Sequence, residues 1–440
     1  MTAAARRVAV VGGGWAGLAA AVELAGAGIE VTLYEMAAQL GGRARRVDAG
    51  GLALDNGQHI LIGAYGATLQ TMRRVGVDVD TALLRTPLRL VGPNGHGLAM
   101  PPGRPAPAFV RAVWGHRGWR RRDRLALLGA AAGWALCGFA CADDLSVAQL
   151  CRTLPPRVRV ELIDPLCVAA LNTPADAASA AVFLRVLRDA LFSGPGSADL
   201  LLPRRSLSDL LPEPAARWLE NAGAGMYLGR RVERIEAAEP GWRVDGDPCD
   251  AVVLATTAAE AARLAAPIDA AWAARAAALR HEPIVTVYAR GDGAPLPTPM
   301  LTLPADPADD RDPAQFVFDL AALCGVDARL AFVASGAAAW VARGTEATVA
   351  ATVEQARRQL GIAVEPLRCF TEKRATFACV PGLLRPAATI APGLIAAGDY
   401  VEGPYPATLE GAVRSGISAA QAAQKRFRDA KSWPGVRTWT

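Results

Sequence analysis

Apolar and polar stretches alternate at the start of the chain in an order that predicts a strand, a helix and a second strand. Residues 8–11 are all apolar and predict a buried strand. Leu18 and Val22 then repeat at helical spacing, and residues 30–35 (EVTLYE) predict the second strand. This order is the βαβ unit of an α/β protein, so we expect a parallel sheet covered by helices.

Later apolar runs predict the remaining core elements. Strands are predicted at residues 232–236, 242–244, 251–256, 283–290, 315–320, 330–335 and 394–399, and helices at residues 177–192, 345–360 and 408–427. We therefore predict an α/β fold with a Rossmann-like nucleotide-binding domain built from discontinuous segments, and an inserted α+β substrate domain of mixed sheet and helices. The predicted boundaries are 1–95, 205–270 and 375–427 for the first domain, 96–204 and 271–374 for the second, and 428–440 for a C-terminal tail.

The turn after the first strand carries the glycines of a dinucleotide-binding fingerprint. Gly12, Gly14 and Gly17 form G-x-G-x-x-G, and Glu35 ends the second strand. The first glycine permits a tight turn, the second lets a pyrophosphate approach the backbone, and the third brings helix and strand together. A carboxylate at Glu35 accepts hydrogen bonds from ribose hydroxyls, which argues against the 2′-phosphate of NADP.

Two further motifs narrow the nucleotide to a flavin. Gly42 and Arg43, in the turn after the second strand, offer backbone N–H groups and a cation to a pyrophosphate. Gly398 and Asp399 close the last apolar strand, where a carboxylate can meet ribityl or phosphate-side hydroxyls. The helix that opens at residues 408–412 would point its N-terminus at the flavin pyrimidine ring and stabilise the negative charge of the reduced flavin.

Composition and charge limit the other functional classes. The chain has 440 residues, 52% of them hydrophobic, a net charge of +5 and a mean hydropathy of +0.20. The basic excess is small and scattered and lacks interleaved aromatic residues, so nucleic acid is not an expected partner. The eight cysteines contain no C-x-x-C pair, which predicts reduced thiols in a cytoplasmic protein and no metal site.

One uncharged segment, residues 125–142, leaves three interpretations open. Arginines between residues 120 and 124 precede it. Its length makes it a marginal membrane span, although alanine and glycine dominate it. The alternatives are a buried helix that lines an apolar tunnel, and an interfacial helix whose arginines meet lipid headgroups. We expect peripheral membrane contact through the 120–124 region.

Three longer motifs carry a resemblance to a known family. They are residues 55–65 (DNGQHILIGAY), 170–174 (ALNTP) and 372–377 (EKRATF). With the glycine motifs, they make the chain similar to the amine oxidase, phytoene desaturase and protoporphyrinogen oxidase superfamily, and within it to the bacterial hydroxysqualene dehydroxylases. This resemblance implies FAD as the cofactor, a C30 isoprenoid alcohol as the substrate and squalene as the product. It also implies hydride transfer from N5 of the reduced flavin to an allylic cation.

The same resemblance implies roles for individual residues. Those expected to hold FAD are Gly12, Gly14, Gly17, Glu35, Gly42, Arg43, Gly57, Gln58, Val232, Gly398, Asp399 and Leu409. Among these, Val232 lies where a strand backbone meets adenine, and Gly57 and Gln58 lie under the isoalloxazine. Lys373 is too near the last FAD strand to be the flavin-facing lysine of amine oxidases, which argues against amine oxidation. No motif indicates the electron donor.

Loss of a hydroxyl as water calls for a proton donor near the leaving oxygen and a dry, apolar cavity. His59 is the one histidine of four in a flavin-adjacent motif, so it is the first candidate to orient or protonate the hydroxyl. The alternative is that His59 or Gln58 only hydrogen-bonds flavin or backbone. Tyr405 is the second catalytic candidate. The expected tunnel walls are Trp114, Trp119, Trp134, Phe139, Phe183 and Leu187.

Two other functions stay open at this point. A polyene desaturase or oxidase would use the same motifs with hydride transfer in the opposite direction. A non-enzymatic isoprenoid binder, similar to the GDP-dissociation inhibitors of prenylated GTPases, would need no flavin, and the intact FAD motifs argue against it.

Overall fold

The computed structural model of the chain describes residues 6–304, 311–326 and 328–431. Most of the predicted tail, residues 432–440, lies outside the described residues. The strands are β1 Arg7–Val11, β2 Glu30–Glu35, β3 Arg46–Asp48, β4 Ala53–Asp55, β5 Leu61–Ile62, β6 Leu83–Thr86, β7 Arg89–Val91, β8 Gly97–Ala99, β9 Leu200–Pro203, β10 Gly225–Leu228, β11 Ile235–Ala237, β12 Trp242–Val244, β13 Asp247–Cys249, β14 Ala251–Leu254, β15 His281–Arg290, β16 Met300–Thr302, β17 Phe316–Asp319, β18 Arg329–Ala334, β19 Glu365–Phe377, β20 Thr389–Ala391 and β21 Leu394–Ala396.

The helices are α1 Trp15–Ala25, α2 Gly66–Arg74, α3 Val79–Ala82, α4 Pro105–Gly115, α5 Arg121–Leu136, α6 Val147–Leu150, α7 Pro156–Val158, α8 Asp164–Leu171, α9 Ala180–Phe192, α10 Leu207–Leu210, α11 Pro212–Asn221, α12 Ala258–Ala265, α13 Ala270–Ala277, α14 Leu320–Cys324, α15 Ala338–Arg343, α16 Thr345–Leu360 and α17 Leu409–Lys431, with one π-helical turn at Arg159–Ile163.

The first layer is a six-stranded sheet in the order β10-β2-β1-β14-β21-β20, parallel except for the β20–β21 pair. Side chains of β1 alternate between two cores: Val8 and Val10 pack with α1, while Ala9 and Val11 pack on the opposite face. Burial on both faces explains why these strands read as unbroken apolar runs. The predicted α/β class is confirmed.

Helix α17 crosses α1 at very short range on one face of this sheet. A side chain at Gly416 would overlap the carbonyl oxygen of Ala16, so glycine is required at the crossing point. This contact brings the carboxyl-terminal part of the described chain onto the first βαβ unit.

The second layer is a five-stranded antiparallel sheet in the order β16-β17-β18-β15-β19. Its side chains also alternate: Phe316 and Phe318 face the large core shared with α4–α9, and Val317 faces α15 and α16. β7, which falls in the segment predicted to belong to the nucleotide domain, packs on β16 of this sheet. The division of the chain into two domains at the expected boundaries stays a prediction.

Two predicted elements differ from the structure. Residues 232–234 of the strand predicted at 232–236 are irregular. The N–H groups of Glu233 and Arg234 both donate to the carboxylate of Asp245 at 2.9 Å instead of to the backbone of a neighbouring strand.

The uncharged segment 125–142 is not one helix. α5 ends at Leu136, and Gly138 and Phe139 follow in the left-handed region with φ of 65° and 58°. Within the described ranges, no helix has the length and apolar character to span a bilayer.

Candidate cofactor and substrate site

The glycine fingerprint lies where β1 and β14 end side by side, at a switch point of the parallel sheet. A side-chain carbon at Gly12 (φ 108°) would lie 2.5 Å from the carbonyl oxygen of Ala255, and one at Gly17 would overlap the carbonyl of Gly12. At Gly14 the nearest atom would be the Cα of Gly42 at 4.0 Å. The first and third glycines thus serve close packing, and the second faces space that a pyrophosphate can use.

Glu35 is buried beside this turn. Its two carboxylate oxygens accept hydrogen bonds from the N–H groups of Gly13 (2.7 Å) and Ala37 (2.8 Å). Each oxygen keeps further lone pairs for a ribose hydroxyl. The backbone therefore fixes the carboxylate where the fingerprint predicts it.

Arg43 connects the loop after β2 with two segments late in the sequence. Its Nη2 lies 2.6 Å from Oδ1 of the buried Asp399, and its Nη1 donates to the carbonyl of Ala375 at 2.8 Å. Asp399 raises the pKa of the Arg43 guanidinium above its usual range. Gly398 precedes this carboxylate with φ 156°, and its N–H donates to Ser415 of α17 at 3.0 Å. Gly398, Asp399, Gly42 and Arg43 are therefore brought together.

The three family-like motifs converge on the same place. Asn56 donates to the carbonyl of Arg43 at 2.6 Å. Asn172 donates to the hydroxyl of Thr376 at 2.9 Å, which joins the ALNTP and EKRATF motifs. Because Arg43 also binds the backbone at Ala375, all of these loops form one hydrogen-bonded unit around the end of the parallel sheet.

Two buried hydroxyls near this unit have no hydrogen-bond partner among the residues that the structure describes. The Oγ1 of Thr286, on β15, would lie 3.7 Å from a side-chain carbon at Gly57, and the hydroxyl of Tyr400 follows Asp399 directly in sequence. Buried polar atoms are normally paired, so orphaned groups of this kind indicate a ligand with its own polar atoms. This is the arrangement expected where a polar cofactor binds.

His59 hydrogen-bonds to backbone. Its Nδ1 lies 2.9 Å from the carbonyl oxygen of Gly57, and burial lowers the pKa of the imidazole. A carbonyl only accepts, so Nδ1 carries the proton and the neutral ring offers Nε2 as an acceptor. Gln58, its neighbour, is half-buried in the same loop. This geometry favours an orienting role for His59 over proton donation.

A cavity of about 500 Å³ adjoins this loop. Apolar side chains from the loop after β4, from α4, α5, α8 and α9, and from β17 line it, together with Tyr65, Asp189, Tyr405 and Thr408. Asp189 is the one charged side chain among the described residues that line it. The described lining is therefore mostly apolar, and α9 and the residues before α2 and α17 supply the polar side chains Asp189, Tyr65, Tyr405 and Thr408.

The expected tunnel residues divide into two groups. Trp134, Phe139 and Leu187 line the cavity. Trp119 and Phe183 are fully packed core, and Trp114 is 51% exposed on α4. Trp119 is held by its indole N–H donating to Glu161 at 2.8 Å and by stacking on His116, so its role is structural.

A model of the family described as flavin containing amine oxidoreductase matches residues 15–424. The chain belongs to this family. It is an FAD-dependent oxidoreductase, and the glycine cradle, the buried Glu35 and the orphaned hydroxyls fit that cofactor. Within the described part of the chain, no group of His, Cys, Asp and Glu side chains is arranged to hold a metal ion.

Two relatives that align with almost the whole chain share one name. Hydroxysqualene dehydroxylase of Rhodopseudomonas palustris is 29% identical over 451 residues, which cover 94% of this chain and 97% of that protein. The enzyme of the same name from Sinorhizobium fredii is 29% identical over 444 residues, covering 95% and 98%. Zeta-carotene desaturase of Synechocystis is 42% identical over a shorter stretch of 78 residues, 18% of this chain and 16% of that protein. The predicted resemblance is confirmed.

Solved structures of other oxidoreductases share the fold. An oxidoreductase from Methanosarcina mazei superposes with a TM-score of 0.71 at 17% identity, covering 94% of this chain and 100% of that one. Cyclohexylamine oxidase from Brevibacterium oxydans gives 0.64 at 18% identity, covering 96% and 100%. Unlike the flavin-facing lysine expected of amine oxidases, Lys373 is exposed to solvent on β19.

Two expected FAD residues have unexpected surroundings. The carbonyl of the buried Val232 accepts from Nη2 of Arg263 at 2.5 Å, so an adenine there would meet an arginine and irregular backbone in place of the expected strand. Leu409 begins α17, and the following Glu410 is fully buried away from the flavin cradle, where it accepts from the N–H groups of Ala67 and Thr68 at the start of α2. Glu410 thus fixes α2 against α17 through the helix N-terminus.

The polar contacts at the cavity end were missed from sequence. Arg185 of α9 donates from Nε to both oxygens of Asp189 at 3.1 Å, and from Nη2 to the hydroxyl of Tyr405 at 3.3 Å. The one signal in the sequence was the spacing of four between Arg185 and Asp189 inside a mainly apolar helix that also carries Arg188.

Proposed function

We propose that the protein removes the hydroxyl of hydroxysqualene reductively to give squalene, a step of squalene and hopanoid biosynthesis. The observation that carries this proposal is the apolar cavity of about 500 Å³ beside the FAD cradle. Such a chamber suits a long isoprenoid, whose affinity comes mainly from buried apolar area at roughly 25 cal/mol per Å². The names of the two relatives aligned over almost the whole chain support the same substrate.

We assign the FAD contacts to the residues of the glycine fingerprint and of the family-like motifs. They are Gly12, Gly14, Gly17, Glu35, Gly42, Arg43, Gly57, Gln58, Val232, Gly398, Asp399 and Leu409. When bound and reduced, FAD supplies a hydride. Glu35 would accept from ribose hydroxyls, and Arg43 would balance the pyrophosphate charge while it stays paired with Asp399.

The chain's own residues would handle the hydroxyl and exclude water. The carbon–oxygen bond breaks with its electrons on oxygen, which takes up a proton and leaves as water. The apolar walls around Leu187 and Trp134 keep bulk water from the cationic carbon. Tyr405, at the cavity wall, is positioned to donate a hydrogen bond to the leaving oxygen, and His59 would orient nearby groups as an acceptor.

An anaerobic turnover experiment tests this function. The bound flavin is photoreduced, hydroxysqualene or squalene is added separately, and the lipid products are identified by mass. We expect squalene from hydroxysqualene with one reoxidised flavin per product, and no change in added squalene. Unchanged hydroxysqualene would refute the proposal.

The second candidate, a desaturase, is favoured by the local similarity to zeta-carotene desaturases, and oxidised enzyme would then introduce double bonds into an added polyene.

We also propose that the substrate arrives from a membrane surface. Leu125, Gly129, Ala132 and Leu136 follow one another on α5 at helical spacing and are all exposed, with Leu136 at 90%. On the same helix, Ala132 also lines the cavity.

Charge at the start of α5 supports this surface. Arg121 and Arg122 are exposed in the first turn, where the helix dipole disfavours cations, and Arg120 precedes them. Anionic lipid phosphates would compensate that cost and attract the basic cluster. The cavity wall that reaches this surface includes Val110 and Phe192, which are 48% and 56% exposed.

A further inference from the structure

The four polar side chains of the cavity lie together. Tyr65, which precedes α2, lies beside Tyr405 and Thr408, which precede α17. Arg185 of α9 binds both Tyr405 and Asp189, which lies one turn further along the same helix. Among the described lining residues, the others are apolar apart from the indole N–H of Trp134. Polar side chains of the cavity are therefore concentrated in this one cluster.

Asp189 and Tyr405 are held rigidly at that end. Arg185 bridges both oxygens of Asp189 at 3.1 Å, and its guanidinium carbon lies 5.1 Å from the centre of the Tyr405 ring. The guanidinium of Arg414, which is paired with the buried Glu410, lies 5.2 Å from the same ring. Two cations thus fix the tyrosine between α9 and α17.

Hydrogen-bonding capacity at this cluster matches an alcohol. The Tyr405 oxygen accepts from Arg185, and its own proton faces the nearby Asp189 carboxylate, so an alcohol that enters between the two can accept from the tyrosine and donate to the carboxylate. Asp189 has lone pairs beyond those used by Arg185 and so can accept from a hydroxyl. An alcohol both donates and accepts one hydrogen bond and can satisfy both groups, whereas a hydrocarbon leaves them unpaired.

We propose that Arg185, Asp189 and Tyr405 form a hydroxyl anchor that binds the alcohol group of a long isoprenoid and places it at the α17 end of the cavity. Tyr405 donates to the alcohol oxygen, and Asp189 accepts from the alcohol proton. Arg185 is a positioning residue that acts through both. The anchor rests on the proposed function for the identity of its ligand, and it selects the alcohol over the hydrocarbon product.

Binding to the oxidised holoenzyme tests the anchor without turnover. Hydroxysqualene and squalene are delivered from cyclodextrin, and their dissociation constants are measured from the flavin difference spectrum and from lipid retained after gel filtration. We expect the wild type to bind the alcohol roughly tenfold more tightly, since hydrogen bonds to charged groups contribute on this scale. Asp189→Asn and Tyr405→Phe each reduce that preference to about twofold or less, with squalene affinity unchanged.

The matched control is Glu354→Gln, which removes an arginine–carboxylate pair on the exposed face of α16 and keeps the preference intact. Tyr405→Phe removes a single oxygen and keeps the ring, so it tests the anchor even where Asp189→Asn fails to fold. Equal wild-type affinity for the two lipids, or an undiminished preference in both variants, overturns the anchor. An intact preference that depends on Asp189, without turnover of hydroxysqualene, upholds the anchor and refutes only the proposed reaction.

Discussion

The guanidinium of Arg43 and the carboxylate of Asp399 lie 2.6 Å apart although 356 positions separate them in sequence. The pair is partly buried and sits where the turn after β2 meets the loop after β21. It therefore closes the FAD cradle between an early and a late segment of the chain. Substitution of either partner tests whether this closure is needed to hold the cofactor.

Replacing Arg43 should release FAD. We expect Arg43→Met to weaken FAD binding by roughly 10- to 100-fold, because a charge-assisted pair is lost and Asp399 is left buried without its partner. Flavin retained after gel filtration measures the effect. Arg46→Met, which removes a more exposed pair with Glu213, is the control and should retain FAD. Full retention by Arg43→Met would show that the pair is not part of the cradle.

Adding a methyl group at Gly17 should disrupt the fingerprint turn. Since the new carbon would overlap the carbonyl of Gly12, we expect Gly17→Ala to lower the free energy of unfolding by at least about 2 kcal/mol and to abolish FAD binding. Urea unfolding followed by circular dichroism checks this. Gly115→Ala, where a side-chain carbon meets open space, should leave stability within about 0.5 kcal/mol. A stable, flavin-loaded Gly17→Ala variant would contradict the close packing of α1 against this turn.

His59 and Tyr405 should differ in their effect on turnover. The amide of His59→Asn can replace the Nδ1–H bond to Gly57, so we expect kcat to stay within about twofold and its pH profile to keep the wild-type shape. Tyr405→Phe should lower kcat roughly 100-fold, the usual scale for a lost proton donor. Pre-steady-state flavin reoxidation measures both. A His59→Asn variant that binds FAD but does not turn over would show that Nε2 of His59 is needed for the reaction, and a changed pH profile would then identify it as the acid.

Asp55 should make the protein less stable as the pH rises through the acid range. Burial raises the pKa of Asp55 to about 7. Between about pH 4, where an unfolded aspartate ionises, and pH 7, the folded state binds the extra proton, so this contribution to stability falls with rising pH and then levels off. Asp55→Asn should flatten that decline while keeping the acceptor for the N–H of Leu207.

Urea midpoints measured at intervals from pH 4 to pH 8 compare the Asp55→Asn variant with the wild type. Asp144→Asn, at an exposed position, serves as the control and should follow the wild-type curve. If the Asp55→Asn curve also follows the wild type, the carboxyl group does not titrate in this range.

Leu136 should matter for membrane binding and not for folding. It is 90% exposed at the end of α5, so Leu136→Glu removes apolar contact and adds repulsion from anionic lipid. We expect wild-type protein to float with anionic vesicles at low salt and the variant to bind at least about tenfold less. Leu228→Glu, on the edge strand β10 and 47% exposed in the wild type, should float normally. Wild-type protein that stays at the bottom of the gradient would refute the proposed surface.

Local patterns predicted the cradle well because its rules are local. Gly12, Gly14 and Gly17 each serve a turn or a close approach that the residue type alone indicates, and the alternation of buried runs indicated the parallel strands. The amphipathic helix predicted at residues 345–360 has the bounds of α16. In contrast, the strand predicted at residues 232–236 begins only at Ile235, because the backbone N–H groups of Glu233 and Arg234 donate to Asp245 of another segment.

The cavity could not be predicted residue by residue, because its walls come from segments that meet only in three dimensions. Trp119 and Trp134 look equally suited to a tunnel in the sequence, yet one is locked to Glu161 in the core and the other lines the cavity. Arg185 and Asp189 resemble an ordinary surface ion pair on a helix. Their place beside the cavity is visible only in the structure, where Tyr405, 220 positions from Arg185 in sequence, contacts Arg185.

The order of the strands has a consequence for synthesis of the protein. β21 inserts beside β14 in the parallel sheet, and Asp399 follows it, so both leave the ribosome long after β1 and the glycine turn. A nascent chain that ends before this strand lacks the carboxylate partner of Arg43 and exposes the apolar flank of β14. We therefore expect flavin to bind only after translation has passed this strand, and we expect the unfinished sheet edge to be prone to aggregation until then.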